Sequence, residues 1–323
     1  MSKKRALICG ISGQDGGYLA KLLLSKGYEV FGTSRDAQMS SFYNLKKLGI
    51  FSEVKLLSMS LNDFRSVLQT FSTTRPDEVY NLAGQSSVGL SFEQPVETHE
   101  SISIGTLNLL EVIRFLNCST RLYNASSGEC FGDTGVEGAD ESSPMCPRSP
   151  YGVAKAAAYW QVANYRDAYG VFACSGLLFN HESNLRPERF VTRKIVLAAC
   201  RIFKGSDEKL VLGDLSISRD WGWAPEYVVA MWKMLQMDLA EDYVIATGES
   251  ITLSLFVEKV FSELKLNWKD HVVVDSSFFR PSDIRYGKGN PKKAADLLGW
   301  SAKYKVNDVI KSMVSAEIDS HQR

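Results

Sequence analysis

The sequence predicts an α/β protein that is built on a doubly wound parallel sheet and carries a second, smaller domain. Short apolar runs alternate with segments of helical periodicity through the first 180 residues or so. Such alternation is typical of βαβ units, whose strands are parallel and whose helices cover the sheet. After that point the alternation stops, and loops rich in Arg, Asn and Pro separate shorter helical segments. This change of pattern predicts where the smaller domain begins.

Six strands are predicted in the first half, each a short run of mostly buried residue types. Their sequences are RALICG, YEVFGTS, EVKLLSMS, DEVYNLAG, RLYNASS and VFACSGLLFN. Helices are predicted for GGYLAKLLLSKG, which Gly27 ends, for NDFRSVLQTF, for residues 93–116 and from Pro150 onward.

Two later segments, RDWGWAPEYVVAMWKML and DYVIATG, are predicted to return to the sheet. We therefore assign residues 1–179 and about 218–248 to the sheet domain. Residues from about 180–217 and 249–323 are assigned to the smaller, substrate-binding domain.

The composition argues against several classes of protein. The 37 Lys and Arg residues balance 37 Asp and Glu residues, so no net charge favours nucleic acid or an anionic membrane. No stretch reaches the roughly 18 apolar residues of a membrane span. The six cysteines form no Cys-x-x-Cys pair, which predicts free thiols and no metal site. We expect a cytoplasmic protein.

A glycine-rich turn lies between the first strand and the first helix. Its glycines are Gly10, Gly13 and Gly16, spaced as G-x-x-G-x-x-G. At this place the backbone turns tightly and approaches a pyrophosphate on the helix N-terminus, as in Rossmann dinucleotide sites. The second strand ends in Ser34 and Arg35, which favours the 2′-phosphate of NADP, although Asp36 leaves NAD open.

A second motif, Tyr151-x-x-x-Lys155, falls at the start of a predicted helix. Residues four apart share a helix face, and a lysine ammonium beside a phenol is expected to lower the pKa of the tyrosine. The tyrosine could then act as a base near neutral pH. Ser127 ends an earlier strand, so the three side chains and the glycine turn together predict a redox site.

The chain resembles the extended short-chain dehydrogenase/reductases and, more narrowly, the GDP-mannose 4,6-dehydratase family. The resemblance covers nearly the whole chain. The stretches that carry it are GISGQDGGYLAKLLLSKGY, DEVYNLAGQSSVGLSFEQPVET, PRSPYGVAKAAAYW, GLLFNHES, RFVTRKI, SRDWGWAPEYVVAMWKMLQ, DYVIATG, FFRPSDI and GNPKKAADLLGW.

The resemblance implies an internal oxidation followed by an elimination. Tyr151 would take the proton of the sugar 4-hydroxyl while the C4 hydride passes to NADP⁺. The new ketone acidifies the C5 proton, which Glu129 would remove. Water leaves C6, and the hydride returns there to give a 4-keto-6-deoxy sugar. Lys155 would hold the ribose, and Ser127 would bond the 4-oxygen.

The resemblance also implies the ligand-binding residues. Those expected at the cofactor are Gly10, Gly13, Gln14, Asp15, Gly16, Ser34, Arg35, Leu61, Leu82, Ala83, Tyr151 and Lys155. Those expected at a GDP-sugar are Gln85, Ser86, Asn180, Arg193, Lys194, Arg219 and Arg280. His181 is expected to be a structural residue. The family pattern further implies a homodimer or homotetramer.

Two departures from the family pattern leave the sugar open. The family usually has threonine where Ser127 stands and serine where Gly128 stands, and the loop SRDAQMSSFYNLKK differs from its usual Arg-Arg-Ser-Ser pattern. A GDP-heptose or a GDP-N-acetylhexosamine is therefore open as substrate beside GDP-mannose. The alternatives are a reductase or 4-epimerase on the same scaffold, for which Glu129 has no use, and a non-catalytic NADP-binding regulatory protein.

Overall fold

The computed structural model describes residues 3–319. Within that range the chain forms thirteen strands and twelve α-helices. The strands are β1 (Arg5–Cys9), β2 (Glu29–Ser34), β3 (Lys55–Ser58), β4 (Glu78–Asn81), β5 (Arg121–Ser127), β6 (Ala173–Leu178), β7 (Asn180–Glu182), β8 (Leu210–Leu212), β9 (Ser218–Arg219), β10 (Trp221–Trp223), β11 (Tyr243–Ile245), β12 (Ile251–Thr252) and β13 (Val272–Val274). The helices are α1 (Gln14–Ser25), α2 (Tyr43–Lys47), α3 (Phe64–Thr74), α4 (Val88–Glu93), α5 (Pro95–His99), α6 (Gly105–Phe115), α7 (Pro150–Tyr169), α8 (Val191–Phe203), α9 (Ala224–Met234), α10 (Leu253–Glu263), α11 (Lys292–Leu298) and α12 (Val306–Asp319).

The main sheet confirms the predicted fold class. Seven of the strands in the described range form it, in the order β11-β6-β5-β4-β1-β2-β3. Every neighbouring pair is parallel, with Leu7 of β1 opposite Phe31 of β2 on one side and Val79 of β4 on the other. The six strands predicted in the first half are β1 to β6, and DYVIATG returns as the edge strand β11. The strand order reverses between β1 and β4, where doubly wound sheets bind ligands.

Both faces of this sheet are covered, and the alternation along β1 shows how. Ile8 packs into an apolar cluster with residues of α1 and α9, such as Leu19 and Met231. Leu7 packs into a second cluster with residues of α3, α6 and α7, such as Phe71. Successive side chains of a strand point to opposite faces, so a strand buried on both faces is apolar throughout.

A third apolar cluster lies among the later elements and joins α8, α10 and α12 to β8. Three two-stranded sheets occur in the same part of the described chain: β7 with β10, β8 with β13 and β9 with β12. The division into two domains at the boundaries given above stays a prediction, and its residues 320–323 lie outside the described residues.

The helical stretch predicted over residues 93–116 is confirmed from Pro95 to Phe115, although it is not one regular α-helix. Helix α4 ends at Glu93, Pro95 begins α5, and a π-helical turn, Glu100–Ile104, separates α5 from α6. Proline has no N–H to continue α4, and its fixed φ suits the first position of a new helix. No helix of the described residues is long and apolar enough to span a bilayer.

Candidate active site

The glycine-rich turn takes a shape that only glycine allows at two of its positions. Gly10 has φ +82, and a Cβ there would lie 2.9 Å from the N and Cα atoms of Ala83. A Cβ on Gly16 would lie 2.6 Å from the Gly10 carbonyl oxygen. The two glycines therefore let β1 turn beside β4 and bring α1 close against that turn.

The packing of the protein does not explain why Gly13 is a glycine. This residue caps the N-terminus of α1 at φ −72, and a Cβ there would meet only the Gly10 carbonyl oxygen, at 3.4 Å. The protein itself therefore does not require glycine here. A bare backbone leaves room beside the free N–H groups that begin α1, and such a cradle fits a pyrophosphate.

Next to this turn, a charged pair joins α1 to β7. Nδ1 and Nε2 of His181 lie 2.8 Å from the Phe179 carbonyl oxygen and from Asp15 Oδ2, respectively. Both partners are acceptors, so both ring nitrogens must donate and the imidazole is protonated. Burial opposes this charge, but Asp15 raises the pKa of His181, and His181 in turn lowers the pKa of Asp15. His181 is thus buried and hydrogen-bonded through both ring nitrogens, as expected of a structural residue.

The side chain of Gln14 takes part in the same link rather than facing a ligand. Its Nε2 donates to the His181 carbonyl oxygen at 3.2 Å, and its Oε1 accepts from Ser183 at 2.7 Å. Only the backbone of Gln14, in the first turn of α1, remains available to the cofactor predicted for it.

Two charged residues, Arg35 and Asp36, follow the end of β2, and they differ in whether their side chains are already hydrogen-bonded within the protein. Arg35 is 87 % exposed, and its guanidinium lies 3.8 Å from Glu97. Asp36 instead closes its own turn by accepting from the backbone N–H groups of Gln38 at 2.9 Å and Met39 at 3.1 Å. The arginine is thus the charge that is free to meet a ligand at this strand end.

The four predicted catalytic residues line one cavity of about 900 Å³. Ser127 ends β5, Glu129 follows in a 3₁₀ turn, and Tyr151 and Lys155 lie one turn apart near the start of α7. The hydroxyl of Ser127 accepts from the backbone N–H of Glu129 at 3.2 Å, and its interaction with the Tyr151 phenol lowers the pKa of that phenol.

Burial controls the protonation of the tyrosine and lysine. It raises the pKa of Tyr151, which the interaction with Ser127 only partly offsets, and it lowers the pKa of Lys155 to about 8. The Lys155 ammonium lies 5.8 Å from the phenol ring centre and donates to the Ala125 carbonyl oxygen at 2.7 Å. The pKa of Tyr151 is thus raised rather than lowered as expected, because desolvation is the largest effect on the phenol.

Glu129 is buried among charges from the later elements. Burial raises its pKa, and the nearby guanidinium groups of Arg219 and Arg280 oppose the rise. The closest approach is 4.0 Å, between Glu129 Oε1 and Arg219 Nε. A carboxylate with a raised pKa is a stronger base, as removal of a carbon-bound proton requires.

The residues predicted at the sugar nucleotide divide into two groups. Outside the catalytic set, seven of the residues predicted at the cofactor or the sugar nucleotide line the same cavity: Asp15, Leu82, Ser86, Asn180, Lys194, Arg219 and Arg280. Lys194 donates to the Val211 carbonyl oxygen at 2.7 Å and lies 5.1 Å from the Phe278 ring centre.

Arg193 and Gln85 are placed elsewhere. Arg193 is buried and donates to Glu317 on α12 at 2.7 Å, although its neighbour Lys194 faces the cavity. Gln85 uses its amide to bond the Ser87 carbonyl oxygen at 2.8 Å and the Thr98 hydroxyl at 3.2 Å. Neither side chain lines the cavity as expected. Of the predicted cofactor residues, Leu61 is buried in the apolar cluster under β1.

Six charged residues of the cavity wall were not predicted: Glu93, Glu182, Arg186, Arg189, Asp214 and Asp283. Asp283 accepts from both Arg219 and Arg280, while Arg186 and Arg189 add two guanidinium groups to the wall. Arg186 lies 3.2 Å from Glu182. The density of cations in RPERFVTRK was a usable signal for the arginines, and Asp283 lies in the stretch FFRPSDI, from which only Arg280 was predicted.

The fold and the Ser127, Tyr151 and Lys155 set define a short-chain dehydrogenase/reductase of the extended type. The sequence model of the family described as "GDP-mannose 4,6 dehydratase" matches residues 7–313. The chain therefore belongs to the GDP-mannose 4,6-dehydratase family, which confirms the predicted resemblance.

Individual proteins give the same result. The chain is 45 % identical to GDP-mannose 4,6 dehydratase 1 of Arabidopsis thaliana, over 99 % of this chain and 91 % of that protein. It is 43 % identical to the GDP-mannose 4,6-dehydratase of Sinorhizobium fredii, over 98 % and 97 %. The solved UDP-glucose 4-epimerase of Thermus thermophilus, a complex with NAD, superimposes with a TM-score of 0.82 at 26 % identity, over 97 % and 99 %.

Proposed function

We propose that this protein is a hydro-lyase that converts GDP-mannose, or a related GDP-sugar, to the GDP-4-keto-6-deoxy sugar. The observation that carries the proposal is the carboxylate of Glu129, which shares one cavity with Ser127, Tyr151 and Lys155. A reductase or an epimerase needs the last three residues but has no use for a base at C5. The curated relatives named above support the choice, and the family assignment agrees with it.

A nicotinamide dinucleotide is the proposed cofactor. The cradle at Gly10, Gly13 and Gly16 would hold its pyrophosphate, and Lys155 would contact its ribose. When bound, the nicotinamide supplies a group that is reduced and reoxidised within one turnover. We further propose NADP rather than NAD, because Arg35 is exposed at the end of β2 while Asp36 is engaged in its own turn. A guanidinium fork suits a 2′-phosphate.

The side chains divide the proton transfers between them. Tyr151 takes the proton of the 4-hydroxyl, and the hydrogen-bonded Ser127 hydroxyl orients the sugar oxygen. Because burial raises the pKa of the phenol, the positive charges of Lys155 and of an oxidised nicotinamide must both support its ionisation. Glu129 then removes the C5 proton. Gly128 offers no hydroxyl, so Glu129 itself, or a water that it holds, protonates the departing C6 oxygen.

The cationic wall of the cavity supports a sugar nucleotide as substrate. Its side chains are Arg186, Arg189, Lys194, Arg219 and Arg280. Guanidinium groups bind diphosphates through paired hydrogen bonds, so this wall is suited to the pyrophosphate of a nucleotide sugar. GDP rather than a pyrimidine nucleotide is proposed from the family to which the chain belongs.

We also propose a homodimer or homotetramer. Helices α5 to α7 and the π-helical turn expose Val96, Ile104, Val153 and Trp160, whose exposures are 69 %, 44 %, 43 % and 61 %. Apolar side chains of this size are unusual on a free helix surface and suit burial against a second copy. Sedimentation of the protein at micromolar concentration would contradict the proposal if it gave a monomer.

One experiment tests the activity directly. The protein with NADP is incubated separately with GDP-mannose, a GDP-heptose, a GDP-N-acetylhexosamine, UDP-glucose and dTDP-glucose, and the products are examined by mass spectrometry. Loss of water from a GDP-sugar is expected, with GDP a better competitive inhibitor than UDP or dTDP. Reduction or epimerisation without loss of water would contradict the dehydratase assignment.

A further inference from the structure

A carboxylate on the far side of Arg219 determines where its guanidinium points. Asp283 Oδ1 accepts from Arg219 Nη2 at 2.7 Å and from Arg280 Nη1 at 3.1 Å. Arg219 is held further by the carbonyl oxygens of Ser218 at 3.0 Å and Ile284 at 2.8 Å, which both accept from Nη1. Three acceptors on one side therefore fix this buried side chain.

The opposite edge of the same guanidinium faces the candidate base. Arg219 Nε is 4.0 Å from Glu129 Oε1, which is too long for a hydrogen bond. The nearest guanidinium is thus bonded directly to Asp283 and only weakly paired with Glu129. Of the two carboxylates, Glu129 is the more buried, with 14 % of its side chain exposed against 24 % for Asp283. Screening by solvent therefore does not explain why Glu129 is the more distant partner.

We propose that Asp283 is a positioning residue, which holds Arg219 away from Glu129 so that the catalytic base is not captured in a close ion pair. The proposal rests on the function given above, in which Glu129 removes the C5 proton. Asp283 acts through Arg219 and is assigned no contact with the reacting atoms.

The electrostatic consequence follows from the arrangement. A guanidinium at hydrogen-bond distance would stabilise the carboxylate form of Glu129 and weaken it as a base. The other charged or titratable groups that act on Glu129, or on which it acts, are Arg280 in the cavity wall, Asp133 four residues after Glu129, Cys130 on its own turn and Tyr151 on α7. Asp283 also contributes directly, because its negative charge raises the pKa of Glu129. Both effects act in the same direction and are lost together when Asp283 is neutralised.

The test measures the pKa of Glu129 itself. The protein is labelled with ¹³C at the glutamate carboxyl carbons, and the Glu129 resonance is assigned as the signal missing from Glu129→Gln. Titration is then compared for the unmodified protein, Asp283→Asn and Asp283→Ala. We expect the pKa of Glu129 to fall by about 1 in both variants, and further in Asp283→Ala, where the guanidinium loses its acceptor as well.

Asp214→Asn is the matched control. Asp214 lies in the wall of the same cavity but bonds Ser216 rather than either arginine, at 2.8 Å and 2.7 Å. Its neutralisation should leave the titration of Glu129 unchanged. Asp283→Glu keeps the negative charge, so the pKa of Glu129 in that variant should stay close to its value in the unmodified protein.

The kinetic measurement separates this role from simple substrate binding. A weaker base should lower kcat and move the acid limb of its pH profile downward in Asp283→Asn. An unchanged pKa of Glu129 in both variants, with only KM raised, would overturn the proposal. The titration needs no turnover, so it remains decisive even if the protein dehydrates none of the GDP-sugars tested.

Discussion

The ring of Phe179 lies against the backbone of Gly128. A Cβ built on Gly128 would be 3.0 Å from three carbons of that ring, and Phe179 is itself stacked on Phe131 with ring centres 6.3 Å apart. The ring is only 4 % exposed and has little freedom to move. The hydroxyl that the family usually carries at this position would therefore have to displace a packed aromatic side chain.

The first prediction follows from this contact. Gly128→Ala should lower the free energy of unfolding by about 1–3 kcal/mol, the usual cost of overpacking a buried site. Gly89→Ala is the control, because a Cβ on Gly89 in α4 would meet nothing within 4 Å. That variant should be neutral or more stable by up to about 1 kcal/mol. Chemical denaturation measures both, and equal stability of the two variants would show that Phe179 yields freely.

The second prediction concerns cofactor choice. Arg35→Ala should weaken NADP binding at least about tenfold, since a hydrogen bond to a charged group contributes about 1.5–3 kcal/mol. NAD affinity should not change, because the lost pair with Glu97 is long and exposed. Calorimetry on protein stripped of nucleotide measures both affinities, with the exposed Arg65→Ala as control. Equal weakening of both cofactors would contradict the assignment of NADP.

The third prediction concerns Gln85, whose side-chain amide joins the loop of residues 85–87, before α4, to Thr98 of α5. Thr98 is fully buried, and its hydroxyl accepts from Gln85, which immediately precedes Ser86 and Ser87 of the cavity wall. Gln85→Leu and Thr98→Val should each raise KM several-fold, and the double variant should be little worse than the more severe single one. Thr73→Val removes a comparable threonine bond to its own helix and should have no such effect. Additive losses would instead indicate that Gln85 touches the substrate.

The fourth prediction is a pH dependence of stability. The folded pKa of Lys155 is about 8, below its ordinary value of 10.5. Between these two values the unfolded chain binds the additional proton, so the free energy of unfolding rises with pH. Relative to Lys155→Met, the unmodified protein should gain about 2 kcal/mol between pH 7 and 9.5. Below pH 8, Lys155 is charged in the folded protein, and the cost of burying that charge lowers the free energy of unfolding by its full amount.

Denaturation of both proteins across that range measures the difference. Several tyrosines also titrate at high pH. Because both proteins contain them, their contribution to the pH dependence of stability cancels in the comparison with Lys155→Met. Parallel stability curves for the two proteins would mean that Lys155 keeps an ordinary pKa in the folded state.

The limits of prediction from sequence are clearest in neighbouring residues. The strands and the turn at Gly10 were predictable because periodicity and glycine spacing are local signals. Arg193 and Lys194 were both expected at the substrate, yet consecutive residues of a helix point about 100° apart, and only tertiary packing decides which one faces the cavity. Asp283 was missed although Arg280 lies only three residues away, because its contact with Arg219, 64 positions earlier, is formed by tertiary packing. The π-helical turn contacts the loop at Gln85, whose backbone N–H donates to Ser101, and helical periodicity gives no signal for such a contact.

The last prediction concerns the carboxylate on which the proposed activity depends. Glu129→Gln preserves the shape of the side chain but cannot accept a proton. Oxidation at C4 should therefore proceed while elimination stalls. A single turnover should show the absorbance of reduced nicotinamide without a dehydrated product. Tyr151→Phe should abolish both, because the 4-hydroxyl proton then has no acceptor.

The expected magnitude and an isotope label make the result decisive. Loss of a general base typically slows a reaction ~100- to 10,000-fold, so slow residual dehydration is compatible with the prediction. In the unmodified enzyme, deuterium placed at C4 of the sugar should reappear at C6 of the product, because the same cofactor accepts and returns it. If that deuterium is lost to solvent, or if Glu129→Gln dehydrates at the original rate, Glu129 is not the base. The reductase or epimerase alternative would then account better for Ser127, Tyr151 and Lys155.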